Sequence, residues 1–254
     1  MNGSSLVTGI IIFFNAEKFI EEAMQSVLAQ TYRRWDLLLV DDGSTDGSTA
    51  IARSYAQHYP DKVRYLEHPG HHNRGMSATR NLGVCHARGE LIAFLDADDV
   101  WLPQKLEQQV AILNAQPETA MVCGPTPWWF SWTGNPEDAK LDAMREIGVP
   151  PDTLYQPPTL LTLLLRNEAK APATCSALIR RKTFQDVGGF EETFRGMYED
   201  QAFFAKVYLK APVYVTSECW DRYRQHPGSC CSIAQDTGQY HASAESRSQT
   251  LYII

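Results

Sequence analysis

The 254 residues are 44% hydrophobic and 21% charged, the make-up of an ordinary globular chain with ample material for a buried core. A net charge of −7 argues against a broad electrostatic footprint for nucleic acid, so a polyanionic partner must be met by local Arg and Lys or through a metal. Residues Met1–Ser5 lack the basic start of a signal peptide, and Leu6–Phe14 is too short to span a bilayer. The six cysteines show no zinc-type spacing, so buried thiols in a reducing cytoplasm are expected, with peripheral contact at the inner face of a membrane left open.

Leu6–Phe14 is a continuous apolar run and predicts a strand covered on both faces. Glu17–Ala29 has apolar residues at helical spacing, and Trp35–Val40 is a second buried strand ended by Asp41-Asp42-Gly43. The polar stretch from Ser44 to Gly47 offers caps for a helix running to about Tyr59. Val63–Leu66 predicts a third strand, Met76–Ala87 a helix, Leu91–Leu95 a fourth strand, Leu102–Ala115 a helix and Ala120–Cys123 a short fifth strand. Beyond these, Pro125–Pro158 is proline-punctuated and rich in Trp, an excursion over the active face. A short apolar helix (Pro158–Arg166), a strand (Thr174–Ile179), a tight turn at Val187–Phe190, a helix (Asp200–Leu209) and a last strand (Val213–Thr216) follow. The apolar end, Thr250–Ile254, predicts a helix that continues or docks on an element outside this chain.

Strand–helix alternation with apolar strands predicts an α/β fold: a mostly parallel sheet, helices on both faces, and ligands at the carboxyl ends of the strands. Three such ends are polar or acidic, at Asn15, at Asp41-Asp42 and at Asp96-Ala97-Asp98-Asp99. Clustered carboxylates repel one another unless a cation neutralises them, and an oxygen-rich site suits Mg²⁺ or Mn²⁺ shared with substrate phosphates. The same residues also open turns and cap helices, so both accounts stand at this point. Phe14 and Asn15 leave the first strand at that same ligand-binding edge. Glu17 is placed to join them, or to serve a helix dipole. Arg80, among small neighbours on a helix, suits phosphate or a base carbonyl, or a buried pair with an aspartate.

Several blocks in order resemble family 2 glycosyltransferases: Phe14-Asn15, Ser26–Tyr32, Val40–Asp46, Gly75–Asn81, Gly89–Asp99, Val187–Phe190, Glu199-Asp200 and Tyr223–His226. The resemblance implies a single GT-A domain, Rossmann-like, with a nucleotide-sugar half over about residues 1–124 and an acceptor and catalytic-base half over about 125–254. It implies inverting transfer from a nucleoside-diphospho-sugar, UDP favoured, to a glycan or lipid-linked saccharide, with Mn²⁺ or Mg²⁺ as cofactor. By the same resemblance Asp98 holds the metal, Asp96 is a shared metal and ribose contact, and His226 completes the metal shell or touches the diphosphate. Asp99 follows the pattern but serves equally as a cap. Asp41 faces the base, Phe14 and Asn15 touch base and ribose with Glu17 beside them, and Ala97 belongs to the donor site. Trp101 offers a stacking platform or simple packing. Asp200 is the base that deprotonates the acceptor hydroxyl, with Glu199 as second candidate. Arg224 is expected to hold phosphate or an acidic partner, and the Trp128–Trp132 cluster to form an acceptor surface or part of the core. Two other classes remain: a degenerate nucleotide-sugar-binding module, and a haloacid-dehalogenase-type phosphatase, whose nucleophile normally sits on the first strand rather than the fourth.

Overall fold

The computed structural model describes residues 5–238. Its strands are β1 (Val7–Phe13), β2 (Trp35–Asp41), β3 (Val63–Glu67), β4 (Leu91–Asp96), β5 (Val100–Trp101), β6 (Met121–Cys123), β7 (Thr126–Trp129), β8 (Ala143–Arg145), β9 (Thr153–Tyr155), β10 (Leu178–Arg180), β11 (Val213–Val215) and β12 (Asp221–Arg224). Its α-helices are α1 (Ile20–Leu28), α2 (Ser48–His58), α3 (Met76–Cys85), α4 (Lys105–Ala115), α5 (Pro136–Ala139), α6 (Thr159–Leu165), α7 (Arg181–Asp186), α8 (Glu199–Lys210) and α9 (Cys230–Asp236).

The main sheet runs β3-β2-β1-β4-β10-β6-β11-β9. The four strands from β3 to β4 are parallel, whereas β10 is antiparallel to both β4 and β6. Alternate residues of β1 and β2 enter different cores. Ile10, Ile12, Leu38 and Val40 pack with α3 and α8, while Ile11, Phe13, Leu37 and Leu39 pack with α1, α2 and α4. Burial on both faces explains why these strands read as unbroken apolar runs. Helix α1 buries Ile20, Ala23, Met24 and Val27, one stripe at helical spacing.

Register fixes the acidic edge. Asp41 lies beside Phe13, and Asp96 beside Ile12, so the acid-bearing ends of β2 and β4 flank the end of β1. Helix α3 lies close beneath this edge because Gly83 has no side chain: a Cβ there would sit 2.7 Å from Ile10 Cγ2 and 3.3 Å from Val40 Cγ2. Gly83→Ala is therefore expected to cost about 1–3 kcal/mol through overpacking, read as a lower urea midpoint at unchanged slope.

A second sheet, β5-β12-β7-β8, has no counterpart among the expected strands. It pairs Asp221 with Trp101 and Arg224 with Trp129. The expected strand over Thr174–Ile179 is instead a 3₁₀ turn, Thr174–Ser176, followed by β10. The carbonyl of Ser176 is diverted from any ladder by the Lys105 ammonium (2.8 Å) and the Gln109 amide (2.6 Å). Helix α1 begins at Ile20 rather than Glu17. Thr250–Ile254 lies outside the described residues.

Candidate active site

The turn after β4 is built from its own acids and clamped from β12. Asp99 N–H donates to the Asp96 carbonyl at 3.0 Å, closing the turn. Asp99 itself is buried, and one carboxylate oxygen accepts the Arg224 N–H at 2.9 Å. Burial, then the charges of Asp98 and Asp96, push its pKa well above the usual carboxylate range. Asp99 thus faces inward and anchors β12 to the turn. Asp98 and Asp96 stay about a quarter exposed, with side chains 29% and 27% accessible.

His226 reaches this turn from just beyond β12, its Nε2 lying 3.0 Å from Asp98 Oδ2. Two ligands on adjacent vertices of an octahedral Mg²⁺ site, with bonds near 2.1 Å, would stand about 3 Å apart. That separation is an ordinary hydrogen bond, and it is equally compatible with a shared divalent ion. Among the described residues there is no cluster of three or more His, Cys, Asp or Glu that could bind an ion unaided.

Arg80 joins the two halves of the site. It is 1% exposed, with Nη2 2.8 Å from Asp96 Oδ1 and Nη1 2.9 Å from Glu199 Oε1. Its guanidinium also lies 5.2 Å from the Phe190 ring centroid. Burial works against its charge, but Asp96 and Glu199 outweigh that and hold its pKa above the ordinary arginine value. Only one Asp96 oxygen is used this way.

Glu199 and Asp200 open α8 and have different surroundings. Glu199 is buried, and burial together with the Asp200 charge raises its pKa against the pull of Arg80. Asp200 is partly exposed and accepts a 2.7 Å hydrogen bond from Gln201 N–H. Burial also raises its pKa, with Arg145 of β8 and Arg80 opposing. Asp200 is therefore the more accessible acid of the two, and Glu199 the one that braces Arg80. Tyr198, just before them, adopts φ +74°, a left-handed conformation uncommon for a non-glycine residue.

The residues after β1 and β2 form one braced rim. Phe14 is half exposed, and Asn15 takes φ +51°. The Asn15 side-chain oxygen accepts the Thr45 N–H at 2.8 Å. Glu17 accepts from Gly47 N–H at 2.7 Å, so it braces the loop after β2 and does not cap α1. Asp41 is fully buried and accepts from Ser44 N–H (2.8 Å), Thr49 Oγ1 (2.5 Å) and the Tyr65 hydroxyl (3.1 Å). Three donors thus hold the Asp41 carboxylate from within the protein. Asp42 receives Arg74 N–H (2.6 Å) and Gly75 N–H (3.0 Å), fixing the loop that enters α3.

The structure thus gathers Asp96, Asp98, His226, Arg80, Glu199 and Asp200, with Phe14, Asn15, Glu17 and Asp41 at the neighbouring strand ends. Ala97 is buried in the turn. Of its two readings Trp101 takes packing: at 3% exposed it belongs to the core under β1, its ring 3.5 Å from where a Gly9 Cβ would lie, so it offers no stacking face. Trp129 and Trp132 are turned inward over Arg224, at 4.5 Å and 5.0 Å. Trp128 alone of the cluster's tryptophans remains broadly exposed. Sequence reasoning missed Phe19, Glu22 and Arg145 at the site. Only a paired β12 would have revealed the first two, and β8 the third.

Comparison with known proteins defines the class first: the architecture is the GT-A fold. The structure of Staphylococcus aureus TarS 1–349 in complex with UDP-GlcNAc superposes with a TM-score of 0.67 at 20% identity, over 97% of this chain and 70% of that one. A Pyrobaculum calidifontis mannosyltransferase, PcManGT, in complex with GDP-Man and Mn²⁺, gives 0.66 at 20% identity, over 94% and 62%. At that identity the likeness is one of fold. The sequence model for glycosyl transferase family 2 matches residues 8–188, and the chain belongs to that family. Membership removes the phosphatase alternative. The putative glycosyltransferase EpsE of Bacillus subtilis is 40% identical over 114 residues, 45% of this chain and 40% of EpsE. The chain therefore spans well under half the length of that relative. No helix among the described residues is long and apolar enough to cross a membrane.

Proposed function

We propose that the chain is a metal-dependent, inverting glycosyltransferase that moves a sugar from a nucleoside-diphospho-sugar to a hydroxyl of a glycan or lipid-linked saccharide. The observation that carries this is the Arg80 bridge, which binds the donor-side acid Asp96 to Glu199 beside the open acid Asp200. A degenerate binding module would need only the first half of that arrangement. TarS is seen with UDP-GlcNAc and PcManGT with GDP-Man and Mn²⁺, which supports a nucleotide-sugar donor and a divalent ion. UDP is the favoured nucleotide.

Asp98 and His226 would hold the ion, with the free oxygen of Asp96 turned to ion or ribose. When bound, the ion neutralises charge that develops on the leaving diphosphate. Phe14, Asn15 and the rim braced by Glu17 and Asp41 position base and ribose at the strand ends. Asp200 takes the proton from the acceptor hydroxyl as that oxygen attacks the anomeric carbon opposite the leaving group. Arg80 fixes Glu199, so that the negative charge of the pair is localised rather than mobile.

A test is release of nucleotide from UDP- and GDP-sugars by the intact chain with Mn²⁺ and glycan acceptors. Release that Asp98→Ala abolishes is expected; no release from any donor, with or without acceptor, contradicts the proposal. The raised pKa values of Glu199 and Asp200 give a pH prediction. Their folded forms bind protons more readily than the unfolded chain does, so their contribution to stability is greatest at acid pH and is lost as pH rises through the folded values. Transfer needs the ionised base, so the rate should rise over the same window. Glu199→Gln is expected to flatten the decline of melting temperature from acid to neutral pH.

A further inference from the structure

We propose that Arg224 is a positioning residue for the metal-binding turn, held in register by an aromatic clamp that ties the turn to the acceptor-side strand β7. This rests on the glycosyltransferase reading of the site. Arg224 is 3% exposed. Its Nε–H donates to the Asp98 carbonyl at 2.6 Å, and its backbone N–H to Asp99 at 2.9 Å. Its Nη2 meets Glu22 of α1 at 2.5 Å. One side chain thus holds the backbone at Asp98 while the same strand end delivers His226 to the Asp98 carboxylate.

Three rings enclose that guanidinium: Trp129 at 4.5 Å, Phe19 at 5.0 Å and Trp132 at 5.0 Å. The clamp is tied at both ends. Gln225 N–H donates to the Trp129 carbonyl at 3.1 Å, and Trp132 Nε1–H to the Gln225 carbonyl at 2.8 Å. Phe19 also packs on the His226 ring, centroids 4.6 Å apart. Trp129 lies in β7 and Trp132 in the 3₁₀ turn after it, so the acceptor-side excursion fixes where the donor-side turn and His226 stand. Lysine could keep the charge, but it cannot supply a planar face to the rings together with forked donors to Asp98 and Glu22.

Outer partners of metal ligands are typically worth 10–100-fold in metal affinity. Arg224→Lys is therefore expected to weaken Mn²⁺ binding by about tenfold or more. The titration would follow free Mn²⁺ by electron paramagnetic resonance, with saturating nucleoside diphosphate and the intact chain. KM for the donor should rise in step, with kcat at saturating metal and donor changed much less. Glu22→Gln alters only the exposed end of the contact and should shift Mn²⁺ affinity in the same direction by less. Should Arg224→Lys fail to fold, Glu22→Gln decides alone. Unchanged Mn²⁺ affinity, even with a lowered melting temperature, overturns the inference. A wild-type chain that binds nucleotide but no Mn²⁺ overturns it as well. A wild-type chain that binds neither overturns the donor reading and this inference together.

Discussion

Asp200→Asn is expected to lower the rate of sugar transfer by about 10²–10⁴-fold, the range a positioned general base contributes. The change removes the proton acceptor while keeping size and most hydrogen-bonding capacity, and the Gln201 N–H contact can still be made to the amide oxygen. Asp200 lies outside the Arg80 bridge, so the donor half should be undisturbed. Nucleotide-sugar affinity, measured by calorimetry in the presence of Mn²⁺, is expected to change by less than about twofold, the pattern of an interaction made only in the transition state. Lost binding with normal turnover of whatever still binds would remove Asp200 from the role of base.

Arg80→Met should give the largest loss of stability. It leaves Glu199 buried without its counter-charge, and removing one partner of a buried pair costs about 3–5 kcal/mol. For a chain of this length that is a fall in melting temperature on the order of 6–20 °C. Most of the effect belongs to Glu199, because Asp96 keeps some solvent contact. Adding Glu199→Gln to Arg80→Met should therefore recover part of the loss, since it removes the stranded charge. A fall of less than about 2 °C, with no recovery in the double variant, would show that Arg80 is not the bridge.

Strands β1, β2 and β4 were legible because burial on both faces forces unbroken apolar runs, and their acidic ends follow at once. Convergence of those ends needed only parallel topology, and the register of Asp41 beside Phe13 and Asp96 beside Ile12 agrees with it. The ordered blocks also placed Arg80, Asp200 and His226. The second sheet was not legible. Its strands are two to four residues long, and Asp221–Arg224 carries three charges and one tyrosine, without an apolar face. Its partners lie about a hundred residues away, where no local pattern can point. The inward turn of Asp41 was hidden for another reason: a carboxylate that accepts from Ser44, Thr49 and Tyr65 looks the same in sequence as one facing a ligand. Trp101 kept two readings in sequence because its two-residue strand gives no periodicity to say which way the ring points.

The central claim is a nucleotide-sugar site that depends on a divalent ion at Asp98 and His226. The most direct measurement is thermal shift of the intact chain with UDP, GDP, dTDP and their sugars, each with and without Mn²⁺. At least one nucleotide is expected to raise the melting temperature only when Mn²⁺ is present, by about 2.7 kcal/mol of linkage at a hundredfold excess over its dissociation constant. Asp98→Ala is expected to abolish that shift. If no nucleotide shifts the melting temperature in a metal-dependent way, Asp98 and His226 do not form such a site.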